Sequence, residues 1–156
     1  MKIAIGSDHG GFALKGTIIS FLKEEGHTVI DLGAYTDEPS DYPDYAKAVA
    51  LALVARKAQK GIIVCGSGVG ACITANKIPG IRAAICHDAY SARQGVEHDD
   101  MNLLCLGERV IGREIAREVV RNFVLARFSG KPKYKKRLEK LKEIENSYLK
   151  KCKFPS

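Results

Sequence analysis

Residues 61–70 read Gly61-Ile62-Ile63-Val64-Cys65-Gly66-Ser67-Gly68-Val69-Gly70. The first five are apolar without alternation, as a strand is when helices cover both of its faces in a parallel sheet. The glycines at 66, 68 and 70 then let the backbone turn sharply and bring its N–H groups close to a ligand. A helix starting directly after them adds its positive dipole end. Four further runs of similar length, 2–6, 28–32, 81–86 and 102–106, lie on either side.

Between the runs the apolar spacing becomes helical. Phe12, Leu14, Ile18, Ile19, Phe21 and Leu22 form one stripe, stopped by Gly26. Tyr45, Ala46, Val49, Leu53 and Ala58 form a second, with Pro43 near its start. Ile111, Ile115, Val119, Val120, Phe123 and Val124 form a third. Strand then helix, repeated, argues a three-layer α/β domain. Beyond the loop Ser129-Gly130-Lys131-Pro132, the residues Tyr134, Leu138, Leu141, Ile144 and Tyr148 mark a last helix rich in Lys and Glu. One narrow apolar stripe must pack against something, either its own sheet or a partner subunit.

The length of 156 residues suits one domain, and 46% hydrophobic with 28% charged residues is a globular rather than a disordered balance. The formal charge of +7 lies entirely in residues 131–156, which hold ten Lys/Arg against three Glu; residues 1–130 balance. That disfavours a uniformly basic nucleic-acid-binding domain, although a basic arm acting on RNA is a separate reading. No apolar run approaches the ~20 residues of a membrane span. The start, Met1-Lys2-Ile3-Ala4, is charged too early for a secretory signal. Cys65, Cys72, Cys86, Cys105 and Cys152 lack paired spacing, which suits reduced thiols in a cytoplasmic protein. Zinc-type CxxC and HExxH patterns are missing.

In parallel α/β sheets ligands sit beyond the carboxyl ends of the strands. The loops Gly6-Ser7-Asp8-His9-Gly10-Gly11, Cys65-Gly66-Ser67-Gly68-Val69-Gly70 and His87-Asp88, with the polar segment Glu97-His98-Asp99-Asp100, are therefore expected to converge on one sheet edge. The loop at 66–70 suits a phosphate or an oxyanion formed during a reaction. Cys65 faces it as a thiol beside a helix N-terminus, or as a buried strand cysteine beside a structural turn. His98 offers an imidazole for proton transfer, or a surface histidine paired with an Asp. His9 has the same plain reading, weakened because Asp8-His9 sits in a glycine-flanked loop where the first strand ends, and Tyr42 and Arg109 read plainly as a helix start and a surface charge. Gly66-x-Gly68-x-x-Ala71, with Asp88 near the end of the next strand, also fits a dinucleotide fingerprint, which keeps a non-catalytic nucleotide-binding module as an alternative. Against it, Pro79-Gly80 would close the intervening helix early.

Several segments in order carry a more specific likeness. Gly6-Ser7-Asp8-His9, Asp41-Tyr42-Pro43, residues 65–70, Ala75-Asn76-Lys77, Gly80-Ile81-Arg82-Ala83, His98 with Asp100 and Asn102, and Gly107-Glu108-Arg109-Val110 resemble the ribose/galactose-6-phosphate isomerase family, in its ribose-5-phosphate isomerase B branch, over residues 3–145. The resemblance implies a Rossmann-like fold with a five-stranded parallel sheet and a C-terminal amphipathic helix. It implies a homodimer or homotetramer with shared active sites, in the cytoplasm, with no metal or cofactor and with neither nucleic acid nor membrane as partner. The implied reaction interconverts D-ribose 5-phosphate and D-ribulose 5-phosphate through a cis-enediolate, in the pentose phosphate pathway. Cys65 would be the base, Ser67 would move protons between the two oxygens, and His98 would open the furanose. The amides of Gly66, Gly68, Val69 and Gly70 would hold the oxyanion. Asp8, His9, Tyr42, Asp99 and Arg109 would contact the sugar, and Lys133 and Arg137 would take the phosphate across the interface.

Ala71 stands where other members carry a Glu base, and Cys65 is present, so the cysteine type is indicated; His98 indicates the ribose branch. Asp99 replaces the usual Asn, which keeps allose 6-phosphate or galactose 6-phosphate as an alternative substrate. Lys133 replaces an Arg, a point charge in place of a fork. Residues 1–147 would then be one isomerase domain, with 128–147 at the dimer interface and 148–156 a basic tail.

Overall fold

Each of the five apolar runs forms a strand: β1 (Lys2–Ser7), β2 (Thr28–Asp31), β3 (Lys60–Cys65), β4 (Ala83–Ile85) and β5 (Leu103–Gly107), in a computed structural model that describes residues 1–151. All pairings are parallel, in the order β2-β1-β3-β5-β4. β3 and β5 are buried along their whole length, which is why their sequences do not alternate. The chain leaves β1 toward β2 on one side and leaves β3 toward β4 on the other. The direction of winding therefore reverses between β1 and β3. In open α/β sheets the crevice at such a switch point, beyond the carboxyl ends of the strands, takes the ligand. The loops after Ser7 and Cys65 both open there.

Helices α1 (Phe12–Glu24), α4 (Ala89–Asp99) and α5 (Arg113–Leu125) cover one face through Leu14, Ile18, Phe21, Val96, Val120 and Phe123. Helices α2 (Tyr42–Val54) and α3 (Val69–Ala75) cover the other through Ala46, Val49, Ala50, Ala71 and Ala75. The three-layer arrangement follows the sequence reading, although Ala58 and Ile111 lie just outside α2 and α5.

One expectation is corrected. Residues 97–99 are the last turn of α4, not a loop leading into β5. Asp88 caps this helix by accepting the Ser91 N–H at 2.7 Å. From that cap at the carboxyl edge of the sheet, α4 runs back against the strand direction and ends at the amino edge of β5. His98 and Asp99 thus lie at the opposite edge from the glycine loops, and convergence on one edge fails for them.

The last helix, α6 (Pro132–Lys151), packs on α4. Its stripe divides: Tyr134 and Leu138 are buried, whereas Leu141 and Ile144 are 42% and 62% exposed. The helix continues past the boundary expected at residue 147. Cys152, Lys153 and the rest of the expected tail to residue 156 lie outside the described residues.

Lys60, the first residue of β3, anchors the joint that leads to α6. Its Nζ donates to the carbonyls of Phe123, Val124 (3.3 Å) and Ala126 (2.9 Å). These lie at the end of α5, where no intrahelical N–H is available. Burial pushes the Lys60 ammonium down to about 8. Lys60→Met should destabilise the fold by about 2 kcal/mol, since the Phe123 carbonyl loses its side-chain donor and Val124 and Ala126 keep only the contacts from Arg127; urea denaturation beside the wild type reads the difference.

Candidate active site

β3 ends at Cys65, which is only 4% exposed. Gly68 then takes φ +84°, a conformation that costs a side-chain-bearing residue dearly. That turn places the Gly68 N–H 3.1 Å from Cys65 Sγ, and the Val69 N–H donates to Ser67 Oγ at 3.3 Å. The first amides of α3, without intrahelical partners, sit at the same opening.

The end of β5 supports this cup. A Cβ on Gly107 would lie 2.6 Å from the Ser67 carbonyl carbon, so only glycine lets loop and strand come so close. The Gly107 N–H donates to His87 Nε2 at 2.9 Å, and burial pushes the His87 imidazole down, which favours the neutral acceptor. The Glu108 N–H donates to the Cys65 carbonyl at 2.9 Å and the Arg109 N–H to the Gly66 carbonyl at 3.1 Å. Glu108 Oε2 accepts the Leu14 N–H at 2.9 Å, tying the start of α1 to the same turn. The Arg109 guanidinium consequently rests against Gly66. Sequence reasoning put His87 in a loop at the ligand edge and Glu108 in a family motif but gave neither side chain a role; their place close after strand ends was the signal.

Asp8, Tyr42, Cys65, Gly66, Ser67, Gly70, Arg109 and Val110 line a cleft of about 280 Å³. Tyr42, the first residue of α2, lays its ring over Gly70. Asp8 is 7% exposed, and its Oδ1 has no hydrogen-bond partner among the described residues. Desolvation pushes its carboxyl up, against the pull of His9 and the N–H groups of Gly10 and Gly11. A buried acceptor left unpaired at a cleft wall is available to a ligand hydroxyl. His9 is anchored on Ser40: its N–H donates to Oγ at 3.1 Å, and its Nδ1 lies 3.1 Å from the Ser40 N–H and 3.0 Å from the Ser40 carbonyl.

A second cluster forms where α4 meets α6. The His98 imidazole stacks on Tyr134, with centroids 4.0 Å apart and planes at 15°, and Gln94 Nε2 is 2.7 Å from its Nδ1. Lys133 and Arg137 lie over the same Tyr134 ring at 4.8 and 5.9 Å. Asp99 lines a groove with Met101, Leu141 and Ile144. Within one chain, therefore, Asp8, Tyr42, Cys65, Ser67, the loop glycines and Arg109 come together, whereas His98, Asp99, Lys133 and Arg137 gather at the other edge of the sheet.

The remaining motif residues have structural work. Asn76 exchanges two 2.9 Å hydrogen bonds with the Ala83 backbone. Asn102 holds the Arg82 N–H and the Gly80 carbonyl, both at 2.9 Å, and Arg82 pairs with Asp100 at 2.6 Å. Together they fix the connection between α3 and β4 to the start of β5. The dinucleotide fingerprint loses its acidic partner: β5 lies between β3 and β4, and Asp88 is spent on capping α4.

No helix among the described residues is long and apolar enough to cross a membrane. Residues 3–141 match the family described as Ribose/Galactose Isomerase. Over 144 residues the chain is 44% identical to ribose-5-phosphate isomerase B of Escherichia coli (strain K12), covering 92% of this chain and 96% of that protein. It is 43% identical over 134 residues to D-erythrulose-4-phosphate isomerase of Pectobacterium atrosepticum, covering 83% and 86%. The solved structure of Clostridium thermocellum ribose-5-phosphate isomerase B matches at a TM-score of 0.92 and 48% identity, over 95% of this chain and 99% of that one.

Proposed function

The chain belongs to the ribose/galactose isomerase family, and from that premise we propose that it is an isomerase interconverting D-ribose 5-phosphate and D-ribulose 5-phosphate through a cis-enediolate. The observation that carries this reading is the cleft in which Cys65 Sγ accepts the Gly68 N–H and which Asp8, with its Oδ1 unpaired among the described residues, also lines. As thiolate, Cys65 takes the proton from C2 of the open-chain aldose and, as thiol, returns it to C1. Between these steps negative charge develops on the sugar oxygens, where the amides of Gly66, Gly68, Val69 and Gly70 stabilise it. Ser67, exposed at the loop, relays a proton between O1 and O2. Asp8, His9, Tyr42 and Arg109 hold the sugar.

The split between the two edges supports a site shared by two copies. The partner subunit's His98 opens the furanose, the partner's Asp99 faces the sugar, and the partner's Lys133 and the partner's Arg137 hold the phosphate. Residues 1–147 act as this isomerase unit in the cytoplasm.

A coupled assay with ribose 5-phosphate tests the reading; absence of turnover in the folded wild type overturns it. Among ribose 5-phosphate, allose 6-phosphate and galactose 6-phosphate, the ribose should give the highest kcat/KM. A higher value on either hexose reassigns the substrate.

His98→Asn should lower kcat/KM on ribose 5-phosphate by about 10²-fold. The loss should be clearly smaller on D-erythrulose 4-phosphate, whose 4-hydroxyl is esterified so that no furanose closes. Equal losses on both would remove the ring-opening role.

Asp8→Asn should lower kcat/KM yet raise the melting temperature at neutral pH by about 2–4 °C. The folded Asp8 carboxyl is raised, so the folded state binds more protons than the unfolded one in that window, and stability falls as pH rises through it. Removing the charge removes this loss, and a melting series against pH would show the flatter profile.

A further inference from the structure

Helix α1 starts without a cap of its own. Its N-cap is Gly11, which has no side chain to offer, and no acidic residue stands in its first turn. A helix start usually has an Asp, Ser or Thr at that place, whose oxygen accepts an N–H two or three residues on. Here there is no room for one: a Cβ on Gly11 would lie 2.4 Å from the Val64 carbonyl carbon. The start of α1 is pressed on the end of β3. The missing acceptor comes from 94 residues away, where Glu108 Oε2 takes the Leu14 N–H. A carboxylate there also meets the positive end of the α1 dipole.

Glu108 does not line the cleft, yet it grips the site twice, and the two grips differ in kind. Its backbone N–H holds the Cys65 carbonyl, and the Arg109 N–H holds the Gly66 carbonyl. Any residue at 108 would keep both. Its side chain alone holds the start of α1, and the start of α1 holds Asp8. The Gly11 N–H donates to the Asp8 carbonyl at 3.2 Å and the Phe12 N–H to the His9 carbonyl, a tight turn with little slack. At Gly10 this turn meets the Cys65 loop. A Cβ there would lie 3.2 Å from the Gly66 nitrogen and 3.3 Å from Asp8 Oδ1. Asp8 and Cys65 follow different strands, so what joins these loops fixes how the two groups stand to each other.

We propose that Glu108 is a positioning residue whose carboxylate, reaching from the end of β5, sets where Asp8 stands relative to Cys65 and so governs substrate affinity rather than proton transfer. Without it the first turn of α1 frays, and Asp8 and His9 move with it. The cup around Cys65 keeps its backbone hydrogen bonds. Contacts made equally to the bound substrate and to the transition state appear in KM. The kinetic part rests on the isomerase reading; the holding of the turn does not.

Wild type, Glu108→Ala and Glu108→Gln are assayed with ribose 5-phosphate, and amide hydrogen exchange is followed over residues 8–14. Residue 108 is half-buried at a turn, so the truncation opens no core cavity and the chain should fold. Glu108→Ala should raise KM roughly tenfold with kcat within about threefold of wild type, and exchange over 8–14 should quicken. Glu108→Gln keeps an oxygen for the Leu14 N–H and should bring KM back to within about threefold of wild type. An Asp8→Ala background separates positioning from general loosening. With that carboxyl gone, Glu108→Ala has less left to misplace, so the two losses should fall short of adding. A wild-type KM in Glu108→Ala overturns the proposal, as does a fall in kcat with KM unchanged. Losses that add in full, or a Glu108→Gln variant as impaired as Glu108→Ala, also overturn it. If wild type does not turn over ribose 5-phosphate, the isomerase reading falls and the exchange decides alone. Faster exchange in Glu108→Ala, reversed in Glu108→Gln, then sustains the hold on Asp8, and exchange equal to wild type overturns it.

Discussion

Cys65→Ala should lower kcat for ribose 5-phosphate by about 10³-fold, in line with loss of a positioned base. Proton abstraction from carbon has no substitute in this cleft at the same position. Asp8 is the one carboxyl among the lining residues, but its Oδ1 is where a sugar hydroxyl would bind, and the remaining lining groups are backbone, Tyr42, Ser67, Arg109 and Val110. KM should change little, because the hydroxyl and phosphate contacts stay in place. The fold should survive. The truncation removes one sulfur from a packed strand end and leaves the Gly68 N–H without its acceptor, a loss of about 1 kcal/mol. Cys65→Ser is the informative companion: it can still accept that N–H yet is far less acidic, so it should look as inactive as the alanine variant. Turnover within tenfold of wild type in Cys65→Ala, with an unchanged melting profile, would take the base role away from the sulfur.

Mixing two inactive variants should regenerate activity. Cys65→Ala lacks the thiol at the carboxyl edge of the sheet, and His98→Asn lacks the imidazole at the amino edge. If each site takes one edge from each copy, a mixed dimer contains one site with both groups native and one with neither. Equal amounts, unfolded and refolded together, should then recover roughly a quarter of the wild-type rate for a two-fold dimer. Each variant refolded alone should stay at its own low rate. No recovery above the mean of the separate variants would place both groups in one copy's site, or remove one of them from the chemistry.

Much of the fold was legible because a parallel sheet writes itself in apolar runs. Residues 61–65 and 102–106 become strands within a residue of the expected ends, since both faces of β3 and β5 are buried. The helix α4 was illegible for the converse reason. Its buried positions are Ala92 and Val96, too few and too small to make a stripe among Arg93, Gln94, Glu97 and Asp99. Missing that helix put His98 at the wrong edge, because one helix length decides which end of the sheet a residue reaches. The placement of β5 between β3 and β4 was also hidden, since spacing along the chain carries no record of lateral order. The cup around Cys65 could be read from glycines at 66, 68 and 70; the buttress of His87, Gly107 and Glu108 showed only in its place near the ends of β4 and β5, because its hydrogen bonds join groups far apart in sequence.

On the proposed shared site, the half-covered stripe on α6 would make catalytic output depend on how crowded the enzyme is with itself. Tyr134 and Leu138 are seated, while Leu141 and Ile144 remain open to water. If each site takes one edge from each copy, as proposed, a lone chain carries an apolar strip that association would shield and two incomplete half-sites. Specific activity should therefore fall on dilution, along the same curve as the sedimentation or light-scattering mass. A cell making few copies would hold chains that are folded yet idle, and doubling expression there would more than double flux.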